Sequence, residues 1–100
     1  MSIYPEIINL IHFMEGHFGS LGKPLLFKAF QRSGITPKIL SEGSLSETLK
    51  LTLIQHLMDD CFKESSVQSD TKLRMVEAKL QGVLNVKRSH LWDLKNSQNE

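Results

Sequence analysis

Cysteine and net charge are both scarce in this chain, and each scarcity excludes a class of protein. The single cysteine, Cys61, rules out an intramolecular disulfide framework, and its apolar neighbours favour a buried side chain over a reactive thiol. The formal net charge of +1 argues against a binder of nucleic acids or membrane surfaces that relies on overall charge.

Long apolar runs are also lacking. No stretch approaches the roughly 20 apolar residues that a membrane span requires. No basic segment precedes the first apolar stretch, so we expect neither a secretory signal nor a membrane partner. The expected location is the cytoplasm, where a lone thiol stays reduced.

The remaining composition is that of a globular domain. Apolar residues make up 40% of the chain and charged residues 23%, so the chain has enough apolar side chains to fold around a core. We expect one domain over residues 1–95 and a frayed polar tail over residues 96–100. A domain of this size buries a modest core, which self-association commonly supplements.

Apolar residues recur three and four positions apart in four stretches, which predicts an all-α fold. The predicted main helices span about 3–16, 24–33, 44–64 and 69–88. Short helical turns are expected after Pro37 and Ser89. The third stretch is apolar on two sides, as in helices buried between neighbours. We therefore predict a small irregular four-helix bundle around a central third helix.

Local signals place several helix ends. Ser44 and Glu47 have the spacing of a capping box at the start of the third helix. Gly34 suits the end of the second helix, and the residues from Gly19 to Lys23 are expected to form a loop. Gly82, within the last helix, marks either a close contact between helices or an incidental glycine.

Motifs for catalysis are incomplete. The glycines before Lys23 lack the remaining residues of a phosphate-binding loop. Cys61 and His56 are five residues apart, which places them on different faces of one helix. We therefore expect no enzymatic activity.

A metal- or small-ligand-binding helical bundle is one alternative. His56 and Asp60 are four residues apart and share one face of the third helix. The Glu-x-x-His pattern of diiron bundles is absent. No cofactor is assigned in the leading interpretation.

A DNA-binding transcriptional regulator is the other alternative. Residues 27–41 have the outline of a degenerate helix-turn-helix, with a second helix that stops after little more than one turn. DNA contacts would come from Arg32, Thr36 and Lys38. The wider basic patch would comprise Lys23, Lys28, Arg32, Lys38 and Lys50.

The leading interpretation is a non-enzymatic protein–protein interaction or regulatory module. The two-sided third helix and the narrow apolar stripe of the last helix offer more apolar surface than a small bundle easily covers. Tryptophan is enriched at binding hot spots. The predicted contacts are Val76, Leu80, Val83, Leu91 and Trp92, in a homodimer or with another protein. Each of these residues, taken singly, also suits the core.

Overall fold

The computed structural model of the protein describes residues 5–43, 45–63 and 69–86, and the regular elements in these ranges are all helical. The all-α prediction is confirmed. In chain order the α-helices are α1 (Pro5–Phe18), α2 (Gly22–Ser33), α3 (Pro37–Ser41), α4 (Glu47–Leu57) and α5 (Asp70–Val83). A 3₁₀ turn, Gly19–Leu21, joins α1 to α2, and a π-helical segment, Met58–Phe62, continues α4.

The four longer helices share one apolar core. Both α1 and α4 contact α2 and α5, so every one of the four has two long neighbours. Because α1 and α4 have the same two neighbours, an arrangement around a single central helix remains a prediction. The side chains that are fully or almost fully buried are Ile7, Leu10, Met14, Leu26, Ala29, Phe30, Ile35, Leu45, Leu53, Ile54, Leu57, Met58, Cys61, Phe62, Leu80 and Leu84.

The connection between α1 and α2 is more helical than the sequence predicted. Gly19 has a φ of 59°, which lets the chain turn within three residues, and α2 begins at Gly22. A Cβ on Gly22 would lie 2.7 Å from backbone atoms of Met14 and Glu15. Glycine at this position therefore allows α1 and α2 to touch backbone to backbone, and the predicted loop was wrong from Gly22 onward.

The end of α2 and the start of α3 follow the predicted signals. Gly34 has a φ of 75°, and the Ile35 amide donates to the Phe30 carbonyl at 2.9 Å, so the two residues close the helix while the Ile35 side chain is buried. The Thr36 hydroxyl accepts from the Ile39 amide at 3.2 Å and caps α3. The short helix predicted after Pro37 is confirmed.

The start of α4 differs from the prediction. Ser46, not Ser44, is the N-cap, since its hydroxyl accepts from the Leu49 amide at 3.2 Å. Leu45 is buried just before it and anchors the extended segment that enters the helix. The predicted capping box is therefore wrong, because the helix begins later than expected.

The π-helical segment also went unpredicted. The Lys63 amide donates to the Met58 carbonyl at 2.9 Å, across five residues instead of four. Phe62 is buried there, and its ring centroid lies 5.0 Å from that of Phe18 and 6.2 Å from that of Phe13. These aromatic contacts attach the segment to the end of α1.

The last helix is shorter than predicted. Ser69 caps it as expected, with the Lys72 amide donating to its hydroxyl at 3.2 Å. Asn85 has a φ of 55° and the Val86 amide donates to the Gln81 carbonyl, which closes α5 after Val83. The predicted extension to residue 88, the turn after Ser89 and the tail lie partly or wholly outside the described residues.

No helix among the described residues is long and apolar enough to cross a membrane.

Two of the glycines within helices, Gly22 and Gly82, give a matched test of the α1–α2 contact. Gly22→Ala is expected to lower the free energy of unfolding by about 1–3 kcal/mol, because the added methyl overlaps the α1 backbone. Gly82→Ala meets nothing within 4 Å, so it is expected to raise stability by up to about 1 kcal/mol through helix propensity. Urea denaturation of both variants checks this. Equal effects would contradict the close approach.

Candidate partner-binding surface

The predicted contact stripe on α5 faces the core. Leu80 is fully buried, and Val76 and Val83 are half-buried against the core residues. Leu80 is thus a core residue and not a surface one, because the stripe is the side by which α5 packs on α1 and α4. Leu91 and Trp92 lie outside the described residues.

The outer face of α5 is polar and basic around one methionine. Met75 is 55% exposed, with Lys72, Arg74 and Lys79 exposed around it. A shallow depression of about 260 Å³ lies at the end of the helix. Its lining residues are Ala78, Gln81, Gly82, Asn85 and Val86. Of the two alternatives for Gly82, the structure favours an incidental glycine, since nothing lies within 4 Å of the position of its Cβ.

The outer side of α2, together with the 3₁₀ turn that leads into it, carries two of the four large exposed apolar side chains of the described residues. Leu21 is 63% exposed and Phe27 is 53% exposed. We define the α2 face as the exposed residues on this side: Leu21, Lys23, Pro24, Phe27, Lys28 and Gln31. The opposite side of α2 supplies Leu26, Ala29 and Phe30 to the core. The face therefore rests on a firmly packed helix.

Sequence reasoning missed this face. Leu21 falls within the loop predicted from Gly19 to Lys23, and Phe27 was considered as the first residue of the predicted helix-turn-helix over 27–41. The usable signal was that Leu26, Ala29 and Phe30 already complete a helical stripe, so that Phe27 falls outside it. A second signal was charge, since no carboxylate occurs between Glu15 and Glu42.

Two of the three residues predicted to contact DNA already make side-chain contacts within the chain. Arg32 forms an ion pair with Asp60, from Nη1 to Oδ2 at 2.8 Å. The Thr36 hydroxyl caps α3. Lys38 is exposed on α3, which has five residues. The predicted helix-turn-helix thus has the expected outline and a second helix of little more than one turn.

The two predicted metal-binding residues lie close together, but one of them, Asp60, also contacts Arg32. His56 Nδ1 lies 4.0 Å from Asp60 Oδ2, the same oxygen that Arg32 contacts. No group of three or more metal-binding side chains is found in residues 5–43, 45–63 and 69–86. The ion pair of Arg32 with Asp60 links α2 to the π-helical segment. Nearby, the hydrogen bond from Lys63 to Asp59 raises the pKa of the Lys63 amine.

Lys50 does not belong to the basic patch. Its side chain is almost fully buried, with the amine 3.5 Å from Glu6 Oε2 and 3.7 Å from Glu47 Oε1. Glu6 Oε2 is itself buried and has no hydrogen bond. The amine therefore forms ion pairs with two carboxylates, and the pair with Glu6 ties α4 to α1.

No protein-family model, curated protein or solved structure matches this chain significantly. The chemistry of the surface must therefore be inferred from the residues themselves.

Truncation on the two sides of α5 tests which side belongs to the core. Leu80→Ala is expected to cost about 2–5 kcal/mol of unfolding free energy, because it opens a cavity in the core. Met75→Ala, on the exposed side, is expected to change stability by less than about 0.5 kcal/mol. Thermal and urea denaturation measure both. A comparable cost for the two changes would contradict this orientation of α5.

The buried ion pairs of Lys50 yield a further prediction. Lys50→Met is expected to lower the unfolding free energy by about 1–3 kcal/mol, because it leaves the partly buried carboxylate of Glu6 without its cation. In a Glu6→Gln background the same change is expected to cost clearly less, and a double-mutant cycle by urea denaturation measures the difference. Identical costs in both backgrounds would show that the two groups are not coupled.

Proposed function

We propose that this protein is a non-enzymatic interaction module that presents a helix face to a protein partner. The observation that carries the proposal is the pair of large apolar side chains, Leu21 and Phe27, more than half exposed on the outer side of α2. Single exposed apolar residues are ordinary, but here one ends the turn that leads into α2 and the other lies in α2 itself, with the exposed Pro24 between them in the sequence and polar residues around them.

The gain from covering this face is sizeable. A phenylalanine side chain buries roughly 200 Å² at most. Since about half of Phe27 is exposed, covering it contributes about 2.5 kcal/mol at roughly 25 cal/mol per Å². Leu26 and Phe30 hold the other side of α2 in the core. A partner therefore meets a preorganised surface and little entropy is lost in ordering it.

The helices behind the face serve as its scaffold. We take them to be an irregular bundle in which α4 is central. Two observations support this arrangement: α4 packs against α2 and α5, and Lys50 of α4 pairs with Glu6 of α1. The proposal covers a second copy of the chain as well as a different protein, since both can present an apolar surface to Phe27.

The two alternatives receive less support. For DNA binding, the strongest phosphate ligand of the predicted motif, Arg32, is paired with Asp60, and α3 is short. For metal binding, Asp60 already serves Arg32.

A photocrosslinking amino acid in place of Phe27 tests the proposal in cells that express the full chain. We expect a discrete protein adduct, identified by mass spectrometry, because the face is covered by a partner. The matched control places the same amino acid at Asn9, an exposed polar position of α1, where no such adduct is expected. Leu21→Ser is expected to weaken the adduct at position 27 while changing stability by less than about 0.5 kcal/mol.

Light scattering over a range of concentrations identifies the kind of partner. A mass that rises with concentration, and that Phe27→Ser returns to the monomer, indicates a second copy. A monomer at all concentrations, together with an adduct of another protein, indicates a different partner. Equal, diffuse crosslinking at positions 27 and 9 with a monomeric mass would contradict the proposal.

A further inference from the structure

We propose that the partner of the α2 face is an acidic amphipathic helix of another protein. This inference rests on the proposed function and adds the chemistry of the partner. It joins the apolar centre of the face to the charge around it.

The charge of the face has a single sign. Residues 16–41 contain Lys23, Lys28, Arg32 and Lys38 and no carboxylate. Within the described residues, neither Lys23 nor Lys28 forms an ion pair, whereas Arg32 is held by Asp60. Two unpaired amines therefore stand beside Phe27, one four positions before it and one directly after it. Carboxylates on a partner would complement them, steering its approach and orienting it.

The apolar centre has the dimensions of a helix contact. Leu21 and Phe27 are six residues apart, which in helical geometry is roughly 9 Å along the axis and about 120° around it, with the exposed Pro24 between them. A partner helix with apolar residues at positions i, i+3 or i+4, and i+7 spans a similar length and would pack across the line from Leu21 through Pro24 to Phe27. Acidic residues on the flanks of that stripe would then lie near Lys23 and Lys28.

Other occupants fit the same face less well. A nucleic-acid backbone would pair with the two lysines but leave Leu21 and Phe27 without an apolar surface. A second copy, packed about a two-fold axis, would bring Lys23 and Lys28 close to the same two lysines of the partner copy, and these like charges repel. An anionic membrane would bind both the lysines and the apolar side chains. However, the other side of α2 lies in the core, so α2 offers only a narrow strip for insertion.

Selection from a displayed peptide library tests the inference. The library fixes leucine at helical i, i+3 and i+7 positions and randomises the flanking positions, and the bait is the full chain. We expect the enriched pool to gain aspartate and glutamate at the flanks. Its best peptide is then synthesised for titration by calorimetry against the variants below.

Two variants and one matched control locate the binding. Phe27→Ser and the double change Lys23→Glu with Lys28→Glu are each expected to weaken the peptide at least tenfold at low salt. The control, Lys72→Glu with Lys79→Glu, reverses two exposed lysines of α5 and is expected to leave the affinity within twofold. All variants are first checked for unchanged helicity and melting temperature.

Three other kinds of outcome would each overturn the inference. A pool without acidic bias, or peptides insensitive to the α2 changes, overturns it while leaving the proposed function standing. A duplex DNA or phosphatidylserine vesicles bound more tightly than the best peptide, with loss in the Lys23→Glu and Lys28→Glu variant, would assign the face to that occupant. Failure to enrich any peptide, together with no adduct at position 27, would overturn both proposals.

Discussion

The contact between the backbones of α1 and α2 at Gly22 is the constraint on which the presented surface depends. A side chain there would meet α1 at 2.7 Å, so the two helices sit closer than larger residues permit. This approach fixes which side of α2 turns inward, and it seats Leu26, Ala29 and Phe30 in the core. The remaining side, with Leu21 and Phe27, is left outward as a consequence.

The sequence predicts the fold class well because helical periodicity and caps are local signals. Ser69 caps the start of α5, Gly34 ends α2 and Pro37 begins α3, each as its local chemistry predicts. Prediction fails where the local signal is ambiguous. Ser44 and Ser46 both suit an N-cap by composition, and the burial of Leu45 in the tertiary structure decides between them. The π-helical segment is likewise set by packing of Phe62 against α1, which no local pattern reveals.

The candidate site was harder to predict than the fold. An apolar stripe predicts that a helix is covered but not by what, so Leu80 could belong to the core or to a partner until its neighbours were known. Lys50 looked like a surface cation because lysine usually is one. Its burial depends on Glu6, a residue far away in the chain. Phe27 was not predicted as a contact residue. It becomes a candidate only once Leu26, Ala29 and Phe30 are known to fill the buried side of α2.

Pairing within the chain also shapes the electrostatics of the α2 face. Asp60 reaches Arg32 near the end of α2, so that end is partly neutralised. Lys23 lies in the first turn of α2, where the helix dipole adds further positive potential, and Lys28 lies near the middle of the helix. Of the three cations of α2, the two without an ion pair among the described residues therefore lie beside Phe27. Such an arrangement favours a partner that brings apolar and acidic groups together at one point over a long, uniformly charged polymer.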